Sequence, residues 1–354
     1  MSLPDDEQIS LRTIAREWGR IGVLGFGGPP AHIALMRETA VERNDWVSAH
    51  RFEDAVSACN LLPGPASTQL LIFCAWTLRG VAGAMVGGLA FILPGLILIL
   101  GLAALFLGSP PDWVRGAGAG GGAAVAAVAV QAGSTLVPPS WERTASQARW
   151  VLYALAGAVS AATLGPMLVL VLLAAGFIEV VFRRVSPPGL GVHALPALAL
   201  VAAGTGGLGA LAWVSLQVGA LSYGGGFVIV PLMQESAVET YNWMTGGEFL
   251  NAVALGQITP GPVTHTVAVV GYSAAGLGGA MFASVIAFAP SFLFILVGAR
   301  HFEALRRNET AQAFLGGAGP AAIGAILGTA IPLAEALTET WQFVLLGASA
   351  VALL

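Results

Sequence analysis

The sequence predicts an all-α polytopic membrane protein. It is read as an inverted repeat of two homologous halves, each with two glycine- or proline-broken, re-entrant helical hairpins beside spanning helices. Three observations carry this reading: an internal duplication, long stretches without charge, and an opposed distribution of arginine between the two copies.

The duplication comes first. One copy runs GFGGPPAHIALMRETAVERNDW from Gly25 and then LLPGP over Leu61–Pro65. The other runs SYGGGFVIVPLMQESAVETYNW from Ser222 and then ITPGP over Ile258–Pro262. Laid together without a gap at an offset of 197, Gly22–Pro65 and Gly219–Pro262 share 17 identities in 44 positions, against roughly three expected from average usage. Interrupted apolar segments at corresponding positions of two halves point to the binding site of a secondary transporter. The halves are drawn as 1–190 and 191–354.

Composition agrees. The chain is 56% hydrophobic and 10% charged, where a soluble domain carries about 25% charged residues. Gly80–Pro111, Gly116–Trp141, Val185–Gln234 and Phe249–Ala299 hold no Asp, Glu, Lys or Arg, and uncharged runs beyond about 18 residues read as membrane spans. The glycine-rich run Gly116–Gly133 reads as close helix packing. The first twenty residues carry seven charges and no apolar core, so no signal peptide is expected. Cys59 and Cys74 lack CxxC or CxxH partners, and the histidines (His32, His50, His193, His265, His301) are scattered. Disulfide, zinc and redox chemistry are therefore not expected, and no cofactor, metal or nucleic-acid partner is called for.

Arginine supplies all fifteen basic residues, and its placement sets orientation. Arg37, Arg43 and Arg51 of the first copy stand opposite Gln234, Thr240 and Glu248 of the second, which favours halves inserted in opposite senses. Arg12, Arg16 and Arg20 put the N-terminus in the cytoplasm and read as a headgroup-facing stripe. The stretch Ile21–Met36 is too short to cross and is expected to enter and return as a hairpin. Phe52–Leu78, broken at Pro63-Gly64-Pro65, is expected to do the same. Val81–Leu107 then crosses outward and Gly116–Val137 returns. Trp150–Phe182 makes two short spans around Gly165-Pro166, and one further span lies near Val192–Ala203. The second copy then lies outside, and Gly276–Ala299 leads back in. The stretch from Trp341 to Leu354 is short for a span, so the second half is expected to lack an element. A rival topology, in which the broken segments cross fully, stays open.

Non-helical backbone at membrane depth must line a cavity or be buried in protein, and proline suits the first turn of a helix. Gly27-Gly28-Pro29-Pro30, Pro63-Gly64-Pro65, Gly224-Gly225-Gly226 and Pro260-Gly261-Pro262 therefore read as starts of half-helices whose N-termini attract anions. Asn60, Ser67, Thr68 and Gln69 flank the first PGP turn; Gln257, Thr259, Thr264, His265 and Thr266 flank the second. These amides and hydroxyls suit an oxyanion. They equally suit the satisfaction of backbone groups freed by proline, and both readings are open. The repeated carboxylates Glu38/Glu42 and Glu235/Glu239 share a helix face at i,i+4. They are either a proton-coupling site or an interfacial acidic face beside Trp46 and Trp243.

On these residues the chain resembles the chromate ion transporter family. The motifs are Phe26-Gly27-Gly28-Pro29 with Asn60-Leu61-Leu62-Pro63-Gly64-Pro65, and Tyr223-Gly224-Gly225-Gly226 with Thr259-Pro260-Gly261-Pro262. Tyr223 stands where the family pattern has Phe. The resemblance implies a multi-pass exporter of chromate in the bacterial inner membrane, driven by the electrochemical gradient. The residues themselves reach only a small oxyanion, so sulfate or another oxyanion, even by uptake, is the alternative. A homodimer is compatible with the sequence. A membrane-embedded enzyme would need a nucleophile–base pair or metal cluster that the uncharged stretches do not offer.

Overall fold

The computed structural model describes residues 9–60, 62, 64–108, 111–163, 168–183, 207–222, 229–299 and 308–353. Every regular element among the described residues is a helix. In the first half, α1 (Leu11–Leu24), α2 (Pro29–Arg37) and α3 (Ala49–Cys59) precede the long α4 (Ala66–Leu107), α5 (Asp112–Glu142), α6 (Gln147–Thr163) and α7 (Leu168–Phe182). In the second half, α8 (Gly207–Leu221), α9 (Ile229–Gln234), α10 (Gly246–Ile258) and α11 (Thr266–Gly298) repeat α1 to α4. They are followed by α12 (Glu309–Gly328), α13 (Ala330–Glu335) and α14 (Thr340–Leu353).

The repetition extends to backbone angles. Both α2 and α9 run into a π-helical turn, Glu38–Arg43 and Glu235–Thr240. Each turn ends at a left-handed residue, Asp45 and Asn242, both at φ 50°. Asp and Asn tolerate that region better than other residues with a side chain.

The long helices α4 and α11 both reverse direction. Arg79 (φ −143°, ψ 26°) and Gly80 (57°, −143°) are matched by Ala275 (−153°, 33°) and Gly276 (62°, −157°). Beyond the first turn, a Cβ on Gly83 would lie 2.2 Å from the Ala75 carbonyl, and one on Gly88 2.9 Å from Ile72. A straight helix would hold Gly88 and Ile72 about 24 Å apart, so the two arms fold against each other. A Cβ on Gly279 would likewise meet the Gly271 carbonyl at 2.3 Å. The arm 66–78 spans only about 20 Å, short of the roughly 30 Å hydrocarbon core, whereas 81–107 is long enough.

Some expectations shift. The first limb begins at Leu11, ten residues before the apolar stretch. Ser10 caps it, and Ile14, Trp18 and Ile21 bury an amphipathic face. The helix α8 was hidden inside a longer uncharged stretch. The expected span Val192–Ala203, the boundary at 190/191 and the break at Gly165-Pro166 lie outside the described residues.

Among the described residues, four helices are long and apolar enough to cross a membrane: Ala66–Leu107, Asp112–Glu142, Val263–Gly298 and Glu309–Glu335. Val81, Met85, Leu89, Leu93 and Ile97 form an exposed stripe on α4, and Leu277, Met281, Val285, Leu293 and Val297 form its counterpart on α11. Apolar stripes of that length do not face water on a monomer; they are the lipid-facing surface of a multi-pass membrane protein. Glycine allows close packing on the inner side. A Cβ at Gly157 would lie 1.8 Å from the Ala321 carbonyl, and one at Gly324 1.8 Å from that of Ala154, where α6 meets α12.

Candidate functional site

The breaks of the two halves meet. Gly261, in the second PGP turn at φ 95°, donates its amide to the carbonyl of Gly25, the residue that ends α1, at 2.9 Å. In the first PGP turn, Gly64 (φ 113°) lies so close to α8 that a Cβ would sit 3.0 Å from the Gly219 carbonyl. Each PGP turn therefore touches the end of the other half's first helix. Gly95 on α4 completes the enclosure: a Cβ there would come within 2.1 Å of the Pro260 carbonyl and 2.7 Å of the His265 ring.

The junction holds a buried polar cluster. His32 on α2 is fully buried, with Nε2 2.9 Å from the Gly25 carbonyl and Nδ1 3.1 Å from Ser67 Oγ. His265 is buried to the same degree. Both of its ring nitrogens lack a partner of hydrogen-bond geometry; the Ile92 carbonyl is the backbone group that faces it. The Thr68 and Thr264 hydroxyls, the Ser222 hydroxyl and Nε2 of Gln257 are also buried without partners. Buried polar atoms are nearly always hydrogen-bonded, and leaving one unpaired costs about 1–3 kcal/mol. Several of these unpartnered atoms, those of Thr68, Thr264 and His265, lie within three residues of a PGP turn.

The flanking hydroxyls divide between two roles. Thr259 donates to the Leu255 carbonyl at 2.9 Å and Thr266 to that of Val263 at 2.8 Å, so both serve the helix backbone. Ser67, Thr68 and Thr264 do not.

The expected residues also divide by position. Gly64, Pro65, Ser67, Thr68, Pro260, Gly261, Pro262, Thr264 and His265 share the buried junction, with Gln257 at its edge. Asn60 ends α3 in an exposed position, and Gly27 is exposed at the open edge. Pro63, Gly224 and Gly225 lie outside the described residues.

The helix starts differ as anion sites. Gly28 caps α2, but Pro29 and Pro30 carry no amide hydrogen and His32 N bonds the Gly28 carbonyl. One first-turn amide, that of Ala31, remains. By contrast α4 follows Pro65, and the turn into α11 follows Pro262, with no side-chain cap on their first amides. The two PGP turns are thus the stronger donors.

The repeated carboxylates stand apart from this cluster. Glu38, Glu42 and Glu239 are exposed in the π-helical turns, and Glu42 pairs with Arg37 at 3.4 Å. Glu235 is half-buried, and its carboxyl is held above the ordinary carboxylate range by burial first and by Glu239 second. Arg12, Arg16 and Arg20 are exposed along α1. Two buried carboxylates had no signal in the repeat: Glu17, paired with Arg43 and Arg16, and Glu179, held by Arg149 and Arg183. His32 was also missed as a site residue, although its place two residues after a broken turn was a usable signal. A separate groove of about 550 Å³ between α5, α13 and α14 is lined by Ala126, Val130, Ala334 and Phe343 and offers no comparable donors.

Comparison with known proteins identifies the family. The chromate transporter family's profile matches residues 12–180 and 209–354. A chromate transport protein of Cupriavidus metallidurans is 33% identical over 337 residues, covering 92% of this chain and 83% of the relative. A probable chromate transport protein of Synechococcus elongatus is 30% identical over 341 residues, covering 92% and 84%. A chromate transport protein of Pseudomonas aeruginosa is 30% identical over 342 residues, covering 90% and 80%. No solved structure matches the chain. A duplicated, multi-pass helical chain whose two halves each match the profile belongs to the chromate transporter family.

Proposed function

We propose that this protein exports chromate from the cytoplasm across the bacterial inner membrane as a secondary active transporter. In this reading the dianion sits at the junction of the two PGP turns. The amides that open α4 and those that open the short turn Val263–His265 leading into α11, the hydroxyls of Thr68 and Thr264 and the ring of His265 act as donors. The observation that carries the reading is the set of buried, unpartnered donors at those turns. A tetrahedral dianion has enough acceptor oxygens to use them at once, and two uncapped helix ends each contribute up to about 2 kcal/mol in a partly buried setting. Binding through backbone ends avoids an arginine at mid-bilayer, which costs about 2.5–3.5 kcal/mol on insertion scales.

The two halves are proposed to insert in opposite senses, with the broken segments as hairpins that enter and return. The opposed arginine content of the two π-turn loops and the reciprocal contacts of the PGP turns support that arrangement. The test is labelled chromate flux into everted vesicles, with sulfate as competitor and a proton uncoupler as control. Uncoupler-sensitive accumulation is the expected result, and no flux above empty vesicles would remove the proposal. Sulfate has the same shape and charge, and full competition by it would widen the substrate to tetrahedral oxyanions.

A further inference from the structure

His32 and Ser67 carry information about hydrogen-bond direction. The Gly25 carbonyl can only accept, so Nε2 of His32 is the ring's N–H. In the neutral ring Nδ1 is then the acceptor, and the proton between His32 and Ser67 is the hydroxyl proton of Ser67. Ser67 stands in the first turn of α4 beside the unpartnered Thr68, yet its hydroxyl has no proton to give an anion. Among the described residues no carboxylate pairs with His32. An isolated buried cation is strongly disfavoured, so the ring is neutral while the site is empty. The titratable group that faces it is His265, which is likewise buried without a counter-charge.

We infer that His32 is the proton-binding residue that couples proton uptake to oxyanion binding, through reversal of its hydrogen bond with Ser67. A proton from water adds to Nδ1, and the new N–H donates to Ser67 Oγ. The Ser67 O–H turns away from the ring and donates to the oxyanion. The dianion supplies the counter-charge that the empty site lacks, so proton and anion each favour the other's binding by the same factor. Among the described residues the second half does not repeat this device. Ile229 stands at the position of His32, and Thr264, at the position of Ser67, has a hydroxyl with no partner to release. The relay therefore supplies one proton per anion, with His265 entering the proposed site as a neutral donor.

This inference rests on the proposed anion site, and the test separates the two. Chromate binding to the purified full chain is measured by calorimetry between about pH 7.5 and 9, in buffers of different ionisation enthalpy, to count protons taken up per anion. The wild type is expected to take up about one proton, with affinity falling about tenfold per pH unit. His32→Gln keeps a donor for Gly25 and an acceptor for Ser67 but cannot be protonated. It is expected to bind with no proton uptake and a flat profile. Ser67→Ala, a second route should His32→Gln misfold, is expected to bind more weakly and also without a pH slope. Wild-type binding without proton uptake, or an unchanged slope in either folded variant, would overturn the inference. Absence of wild-type binding would remove the anion site and this device with it.

Discussion

The amide of Gly261 donates to the carbonyl of Gly25 at 2.9 Å, and the Nε2 of His32 uses the same oxygen. Both lone pairs of one carbonyl are thereby committed, one to each half of the repeat. Gly25 has no room for a side chain: a Cβ would lie 2.7 Å from His32 Cδ2 and 2.7 Å from the Ile21 carbonyl. Gly25→Ala is therefore expected to destabilise the protein by about 1–3 kcal/mol through overpacking and to reduce transport more than tenfold, because His32 is displaced from Ser67. Thermal unfolding and vesicle flux check both. Wild-type flux with a normal unfolding temperature would show that the junction tolerates being pried apart.

Gly28 poses the opposite test. Nothing lies within 4 Å of where its Cβ would be, yet it sits at φ 72°, ψ −155°, a region nearly confined to glycine, with a cost of about 1–3 kcal/mol for other residues. Gly28→Val is expected to abolish chromate transport while membrane insertion and yield stay near wild type. Normal export would exclude the first break from the transport path.

Much of this architecture was legible in the sequence, because duplication repeats backbone constraints as well as residue types. Glycine and proline at matched positions disclosed the breaks, and uncharged stretches disclosed the helices that face lipid. The reversals at Arg79-Gly80 and Ala275-Gly276 fall at the ends expected for Phe52–Leu78, Val81–Leu107 and Gly276–Ala299, but their form was not legible: one residue pair with a glycine at positive φ, between two helical arms. Nor was the unequal strength of the three described breaks, which depends on how many first-turn amides the prolines remove. The roles of Thr259 and Thr266, against those of Thr68 and Thr264, turn on which hydroxyl reaches a carbonyl one turn back. Spacing alone does not encode that.

The reversals yield a prediction free of contact effects. A Cβ at Gly80 or Gly276 would meet nothing within 4 Å, so alanine there probes backbone strain alone. Gly80→Ala and Gly276→Ala are each expected to destabilise by about 1–3 kcal/mol. The effects should be additive in the double variant, because the sites lie in separate hairpins. Thermal melts of the two singles and the double decide this; no change in either single would mean that the reversals are not held at these angles.

Glu235 gives a pH dependence whose sign can be worked out. Its carboxyl is raised by burial and by Glu239, so the folded protein binds that proton more tightly than the unfolded chain. Its favourable contribution is complete below the ordinary glutamate value of about 4.3 and is lost as pH rises through the raised folded value. Glu235→Gln should accordingly be more stable than wild type at neutral pH, with the advantage vanishing toward acid. Glu239→Gln should narrow the same gap by removing the neighbouring charge. If the π-turn carboxylates are an interfacial face, the pH profile of transport stays unchanged in both variants. A shifted profile would make them part of the proton path.

The orientation of the halves can be read from matched loops. Arg43 and Thr240 are equivalent positions, but Arg43 is one of the two arginines that pair with the buried Glu17, and its removal would leave that carboxylate to the more exposed Arg16 alone. Glu42 and Glu239 are equivalent, exposed and free of that role, so cysteine is better placed there. The native Cys59 and Cys74 are both buried and give a low background. A membrane-impermeant maleimide applied to everted vesicles is expected to label Glu42→Cys at least tenfold faster than Glu239→Cys, and applied to intact cells to show the reverse order. That crossing would follow because the π-turns share one backbone conformation and differ in which side of the bilayer they face. Labelling of both from the same side would make the repeat parallel. The opposed arginine content of the two loops would then need a cause other than membrane orientation.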